Sequence, residues 1–217
     1  EIFRIQSTIS SRVVDALGVT LLEPARMALS TRLTDNMDAY HAYLKALEYA
    51  EGVNLDEPTI RMGIDLLSRA VELDPDFIVA HAMLAKQHAG LIHFGYDGTP
   101  ARMAMADAGI ARVGVLGPDS PWLAYARGWV AYWGRKDLDA AVAHMERVRL
   151  ELPGSADVLE AIGFIRRRQG RYEEGLRSLQ QAVDKDPRNS RLLWGVAETN
   201  CLLDRFDTAL TVLDEVI

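Results

Sequence analysis

The chain has 217 residues, of which 49% are hydrophobic and 25% are charged, a composition that favours a folded domain or a short repeat array and argues against disorder. Its formal net charge of −7 argues against non-specific binding to nucleic acid or anionic membranes, since both require Lys and Arg to neutralise phosphate. The single cysteine, Cys201, excludes an intrachain disulfide and fits a reducing, cytoplasmic location.

Residues 1–35 are predicted to form a helical linker. Five aliphatic residues recur at steps of three or four and so share one face of a helix over residues 1–17: Ile2, Ile5, Ile9, Val13 and Leu17. Gly18 interrupts this pattern, and a short helix is predicted from Pro24. The chain begins without an initiator Met and stops inside an apolar helical pattern at Ile217, so it is expected to be a piece of a longer protein whose upstream domain is missing.

Four similar phrases, each ending in proline, divide the rest of the chain. They are Ala70-Val-Glu-Leu-Asp-Pro75, Val113-Gly-Val-Leu-Gly-Pro118, Val148-Arg-Leu-Glu-Leu-Pro153 and Ala182-Val-Asp-Lys-Asp-Pro187. Because proline cannot continue a helix, each phrase should end an amphipathic helix. The last two prolines lie 34 residues apart, which is the period of the tetratricopeptide repeat.

The segment 156–189 resembles that repeat most closely. Small residues stand in the slots where two helices must approach closely, namely Gly163, Gly175 and Ala182, and large apolar residues stand in the slots that fill the space between helices, namely Leu159, Ile162 and Leu179. The turn from Gln169 to Glu174 is similar to the inter-helix turn of the family. Arg166, which occupies a slot usually held by Tyr, departs from the pattern.

We therefore predict an all-α superhelix of about five helix pairs over residues 36–217. The predicted repeats span 36–77, 78–120, 121–155, 156–189 and 190–217, with an insertion at about 90–99, and no segment predicts a sheet. Candidate N-caps are Thr99, Ser120, Asp137 and Ser155. One unit cannot bury its apolar face alone, so stacked neighbours should share a continuous core.

A second resemblance lies at the junction before the repeats. Ile2-Phe-Arg-Ile-Gln6, Ala16-Leu-Gly-Val19 and Thr34-Asp-Asn36, with Ala39-Tyr40 after them, resemble a stretch of many bacterial regulatory proteins that follows a TolB-like α/β domain and precedes the repeats. Those proteins often begin with a class III adenylate or guanylate cyclase domain or with a winged-helix DNA-binding domain. The resemblance implies the regulatory repeat region of a signalling protein, while the cyclase aspartates and base-reading residues lie upstream in that family and have no counterpart here.

The chain itself is predicted to be neither an enzyme nor a cofactor-binding protein. It has no phosphate-binding glycine loop, nucleophile elbow or paired catalytic carboxylates. His81, His88 and His93 fall within thirteen residues, but no cysteine joins them and few carboxylates are near, so packing or surface roles are favoured over a metal site. Cys201 is interpreted as a packed or groove-lining thiol.

An aromatic stripe at helical spacing allows two interpretations. Trp122, Tyr125, Trp129, Tyr132 and Trp133 either form a peptide-binding strip on the inner face, where aromatic anchors dominate affinity, or pack as core between repeats. Counting forward from Pro118 points the stripe to the groove and requires one extra residue in the following turn, whereas counting back from Pro153 points much of it inward. We favour the groove for Trp129 and Trp133, and core or shared burial for Trp122 and Tyr125.

The leading functional prediction is a protein-interaction scaffold whose groove binds a peptide, a partner domain or its own upstream effector domain, with no direct nucleic acid or membrane partner. The predicted partner-binding residues are Trp129, Trp133, Phe164, Arg167, Arg168, Arg191 and Trp194. The basic run Arg166, Arg167, Arg168, Arg171 and Arg177 could hold a carboxylate or phosphate, although a solvated face with balanced charges is preferred.

Two further statements limit this prediction. Glu160 and Phe164 stand where chaperone-binding members carry the Lys and Asn of a carboxylate clamp, which argues against that class of ligand. The alternative function is a dimerisation module, in which the array or the 1–17 helix pairs an upstream cyclase or DNA-binding domain.

Overall fold

The structure is a computed structural model that describes residues 33–50 and 55–214. These residues form ten helices in five pairs and contain no strand, which confirms the predicted all-α superhelix. The helices are α1 Met37–Ala50, α2 Glu57–Leu73, α3 Ile78–His93, α4 Pro100–Leu116, α5 Pro121–Trp129, α6 Leu138–Glu151, α7 Ala156–Arg168, α8 Tyr172–Lys185, α9 Ser190–Leu202 and α10 Phe206–Asp214.

Some of the predictions concern residues outside this description. The linker helices predicted over residues 1–17 and from Pro24 belong to them. Each predicted repeat range contains one of the five helix pairs. The division of the chain at residue 35 stays a prediction.

The predicted caps begin the helices as expected. The side-chain oxygens of Thr99, Ser120, Asp137 and Ser155 accept hydrogen bonds from backbone N–H groups in the first turns of α4, α5, α6 and α7. Each cap satisfies a donor that the helix itself leaves unpaired. Local sequence therefore fixes where these four helices start.

Glycine sets the distance between the helices of the fourth pair. A Cβ added to Gly163 would lie 2.6 Å from Cγ of Leu179, and one added to Gly175 would lie 2.8 Å from the carbonyl oxygen of Gly163. Both distances are shorter than real side chains allow, so α7 and α8 can pack this closely only with glycine at both positions.

The third pair resolves the register that the sequence left open. The count from Pro118 places Gly128 in a slot where two helices must approach closely. A Cβ on Gly128 would lie 2.8 Å from Cε of Met145 in α6, so the count from Pro118 is right. The extra residue is absorbed by a π-helical turn, Val130–Arg135, which continues α5. Lys136 follows in the left-handed conformation with φ 59°, and the Asp137 N–H closes the turn on the carbonyl of Ala131 at 2.9 Å.

The first helix of each pair faces the inside of the superhelix, where residues from α1, α3, α5, α7 and α9 line one shared cleft. The largest core cluster runs through the first four pairs, and two smaller clusters join α7, α8, α9 and α10. None of the described helices is both long and apolar enough to cross a bilayer.

Candidate functional site

The inner face contains a cleft of about 250 Å³ to which all five first helices contribute. Tyr43 comes from α1, Lys86 from α3, Tyr125 from α5, Glu160 from α7 and Arg191 from α9. The residue pairs that approach one another across this cleft are far apart in the sequence. The curvature of the superhelix therefore creates the cleft.

A buried lysine ties the second pair to the fourth. Lys86 Nζ donates to Oδ1 of Asp157 at 2.6 Å and to the Tyr125 hydroxyl at 3.1 Å, and the Tyr125 hydroxyl donates to Oδ2 of Asp157 at 2.8 Å. The ammonium also lies 4.0 Å from the ring centroid of Trp129, within range of a cation–π interaction. We call Lys86, Tyr125 and Asp157 the lysine clasp, because Lys86 reaches past α5 to hold the start of α7.

Next to the clasp, Glu160 of α7 pairs with Arg191 of α9 at 2.6 Å. Burial raises the pKa of Glu160 to about 7, although Arg191 and Lys86 act in the opposite direction. At Asp157 burial also acts to raise the pKa, but Lys86 and the Tyr125 hydroxyl outweigh it and hold the pKa below its usual value. The cleft therefore combines a firmly ionised carboxylate with one that gains a proton close to neutral pH.

The structure corrects the prediction for Trp129 and Trp133. Trp129 is the last residue of α5 and Trp133 lies in the π-helical turn that continues it, but they are only 3% and 8% exposed, so their rings are not open to a ligand. Lys86 covers Trp129, while the rings of His93 and Phe94 lie 5.4 and 5.7 Å from that of Trp133. Trp133 is covered because α3 is long enough for its last turn to reach this ring, whereas Trp129 is covered by Lys86 from the middle of α3.

The burial predicted for the other two residues is confirmed, since Tyr125 is buried and Trp122 is partly buried. The predicted insertion packs against neighbouring helices and loops of the described chain. The backbone N–H groups of Tyr96 and Asp97 donate to the carbonyl of Leu91, and the Tyr96 hydroxyl reaches the carbonyl of Leu55 at 3.4 Å.

The predicted groove residues of the last two pairs are accessible. Trp194 is 58% exposed, Arg168 is exposed, and Phe164, Arg167 and Arg191 are half-buried. Arg167 pairs with Glu198 at 2.5 Å and so joins α7 to α9. We call the surface along these two helices the open strip; its members are Phe164, Arg167, Trp194, Glu198 and Leu202.

The basic run agrees in part with its interpretation as a face with balanced charges. Arg166 lies 3.8 Å from carboxylates of Glu146 and Glu174, and Arg171 lies 2.7 Å from Glu174. Arg168 differs, because its partners are the Tyr132 hydroxyl at 2.9 Å and the ring nitrogen Nε2 of His93 at 3.3 Å.

The three histidines that were considered as a metal site each contact different groups. His81 contacts the carbonyl of Pro75 at 3.0 Å, His88 contacts Arg102 at 3.0 Å, and His93 lies between Lys136 and Arg168. Over residues 33–50 and 55–214, no three His, Cys, Asp or Glu side chains come together in an arrangement that could hold a metal ion.

Sequence reasoning missed the clasp and the position of Lys136. A signal for Lys86 was present, because it is the one Lys or Arg in the otherwise apolar and weakly polar sequence of α3. No signal identified its partner Asp157, since the two residues meet only through the superhelix.

Comparisons with known proteins agree with this architecture. Residues 166–217 match the family model described as tetratricopeptide repeat. The solved structure of TTC0263, a thermophilic tetratricopeptide repeat protein of Thermus thermophilus, aligns with a TM-score of 0.59 and 16% identity over 82% of this chain and 89% of that chain. Pseudomonas aeruginosa pilF aligns with a TM-score of 0.56 and 14% identity over 82% and 75% of the two chains.

A third structure, MamA from Desulfovibrio magneticus RS-1, has a TM-score of 0.50 and 17% identity over 85% of this chain and 95% of that chain. A search of proteins with curated functions gives no match. The similarities concern the fold, and the cyclase or winged-helix context stays a prediction. The chain has the α-solenoid fold of tetratricopeptide repeat proteins.

Proposed function

We propose that this chain is a non-catalytic protein-interaction module that binds a peptide segment along the open strip of α7 and α9. Solenoids of this kind commonly present first-helix side chains of successive repeats to an extended or helical ligand. The observation that carries the proposal is Trp194, a large aromatic side chain that is 58% exposed on α9, the first helix of the last pair. Tryptophan is enriched among binding hot spots.

The filled and open parts of the inner face favour this location. The lysine clasp and the covered Trp129 and Trp133 leave little accessible apolar surface on α3 and α5. On α9, by contrast, Trp194, Glu198 and Leu202 recur at a spacing of four and are all exposed. A ligand here would meet an aromatic anchor, an ion pair and an aliphatic side chain in one line.

The finer context rests on the resemblance of the junction. It favours a regulatory repeat region within a larger signalling protein, with an upstream cyclase-like or winged-helix effector domain as a candidate partner. A ligand supplied by the same chain would need no separate partner at all.

The alternative, a dimerisation module, is favoured by one feature of the last pair. Leu202, Phe206 and Leu210 are exposed together near its end, and stacked repeats normally cover such apolar side chains. Light scattering across a concentration series tests it. A mass that stays monomeric, or a dimer that Phe206→Ser does not weaken, would count against this alternative.

Peptide selection tests the leading proposal. Peptides selected from a random library on the purified chain should bind Trp194→Ala at least about tenfold more weakly, the effect of losing one hot-spot residue. The matched control is Leu150→Ala, which removes a side chain that is 77% exposed on the second helix α6. Equal affinities of wild type and Trp194→Ala by fluorescence anisotropy, with unchanged helicity, would contradict the proposal.

Trp133→Ala is a poor test of the same idea. Because Trp133 packs against His93, Phe94 and the backbone at Gly90, its removal opens a cavity and lowers stability. Weakened binding by that variant would not distinguish a lost contact from a loosened fold.

A further inference from the structure

Three helix ends meet beside the open strip and bring two cations against one histidine. His93 ends α3, Lys136 follows the π-helical turn, and Arg168 ends α7. Lys136 Nζ lies 2.9 Å from Nδ1 of His93, and Arg168 lies 3.3 Å from Nε2 of the same ring. We call His93, Lys136 and Arg168 the basic cluster.

The hydrogen-bonding capacity of this cluster does not balance. A protonated lysine and an arginine only donate, whereas a neutral imidazole offers one donor and one acceptor. His93 can therefore accept from Lys136 or from Arg168 but not from both, and a protonated ring would add a third positive charge. Burial, together with Lys136 and Arg168, lowers the pKa of His93 to about 4, and burial and Arg168 lower the pKa of Lys136.

No carboxylate among the described residues compensates these charges within ion-pair distance. The acidic side chains nearest in sequence are engaged elsewhere. Asp137 accepts from the N–H of Ala140 at 3.0 Å as the cap of α6, Asp139 accepts from Gln169 at 2.7 Å, and Asp97 pairs with Arg102 at 2.9 Å. The negative ends of the helix dipoles attract cations to these positions, which accounts for basic residues here. A helix dipole is not a hydrogen-bond acceptor, so one of the two donors that face the His93 ring still lacks an acceptor there.

We propose that the basic cluster binds an oxyanion, a carboxylate or a phosphate, carried by the peptide that lies along the open strip. Such a group would accept from both Lys136 and Arg168, so that His93 no longer faces two donors. Both cations are exposed, and Arg168 directly follows Arg167 of the open strip. The inference rests on the proposed function and adds a partner class to it, an acidic or phosphorylated segment.

Four probes test the site at constant ionic strength: a twelve-residue alternating Ala-Glu peptide, its Ala-Gln counterpart, an Ala-Ser peptide carrying phosphoserine, and inorganic phosphate. The readout is the ring proton signal of His93 in histidine-labelled protein, assigned with His93→Gln. We expect a saturable shift with the glutamate or the phosphoserine peptide and none with Ala-Gln. The peptide that binds more tightly identifies the oxyanion.

The double variant Lys136→Asn with Arg168→Gln should weaken that binding at least about tenfold, and Asn is chosen because it tolerates the left-handed conformation of residue 136. The control, Lys185→Gln with Arg188→Gln, removes the same charge from exposed positions at the end of α8 and should bind like wild type. Three results would each overturn the proposal. Neither acidic peptide gives a saturable shift, the control weakens binding as much as the double variant, or inorganic phosphate alone gives a shift.

Trp194→Ala separates the two proposals. If Trp194→Ala weakens peptide binding while the double variant does not, the proposed oxyanion site is contradicted and peptide binding along the open strip is supported. If the double variant weakens binding and Trp194→Ala does not, the basic cluster stands as an oxyanion site and the open strip fails.

Discussion

The lysine clasp gives the sharpest test of how the inner face is held together. We predict that Lys86→Met destabilises the chain, because methionine keeps the unbranched stem but removes the charge that pairs with Asp157 at 2.6 Å and lies 4.0 Å from the Trp129 ring. Breaking a buried ion pair by removing one partner costs about 3–5 kcal/mol. The Asp157 side chain is 32% exposed, so water can replace part of the lost interaction, and we expect a loss of about 2–3 kcal/mol.

The assay is urea unfolding followed by far-UV circular dichroism, on Lys86→Met, Asp157→Asn and the double variant. The double variant should cost at least about 1 kcal/mol less than the summed single variants, because the second change removes the group that the first left unpaired. The matched control is Arg69→Met, since Arg69 and its partner Glu72 are 61% and 65% exposed and the loss of this pair should cost under about 0.5 kcal/mol. Additive costs in the clasp, or a loss no larger than that of the control, would refute this reasoning.

Two further predictions concern α7. Gly163→Ala should lower the free energy of unfolding by about 1–3 kcal/mol through overpacking against Leu179, whereas Gly154→Ala, where an added Cβ meets nothing within 4 Å, should leave it unchanged or raise it by about 0.5 kcal/mol; equal effects in urea unfolding would contradict the packing argument. Glu160 has a pKa of about 7 in the folded chain against 4.5 when exposed, so the folded state keeps a proton that the unfolded state has lost, and its contribution to stability falls by up to about 3 kcal/mol as pH rises between those values. His88 and His93, with pKa values lowered to about 4, change stability with pH in the opposite direction. The measurement is therefore the free energy of unfolding in urea of wild type and of Glu160→Gln, each at about pH 5 and about pH 8. An identical pH dependence of the two proteins would show that Glu160 does not titrate in this window.

The features that sequence predicted well are local. The starts of α5 and α7 follow from Pro121 and from the caps Ser120 and Ser155. The close approach of α7 and α8 follows from Gly163 and Gly175. Each of these signals acts within one helix pair. The repeat period then determines how the pairs stack, and the five pairs could be predicted without knowing the superhelix.

The features that could not be predicted depend on contacts between pairs that are not neighbours. Lys86 meets Asp157 only because the superhelix curves tightly enough to bring α3 to α7. The burial of Trp129 depends on that same approach, since Lys86 lies over its ring. The sequence predicted the aromatic stripe, yet the exposure of its rings depends on the curvature of the superhelix and on the length of α3, which a repeat pattern does not encode.

The length of α3 contributes to the filled part of the inner face and to the basic cluster at its edge. α3 has 16 residues, so its last turn brings His93 over the ring of Trp133, whereas Trp194 in the second turn of α9 is 58% exposed. The same long α3 carries His93 to the point where Lys136 and Arg168 converge. The long helix α3 thus covers the aromatic residues of the third pair and places the basic cluster beside the open strip. An acidic segment bound there would contact both the basic cluster and the open strip.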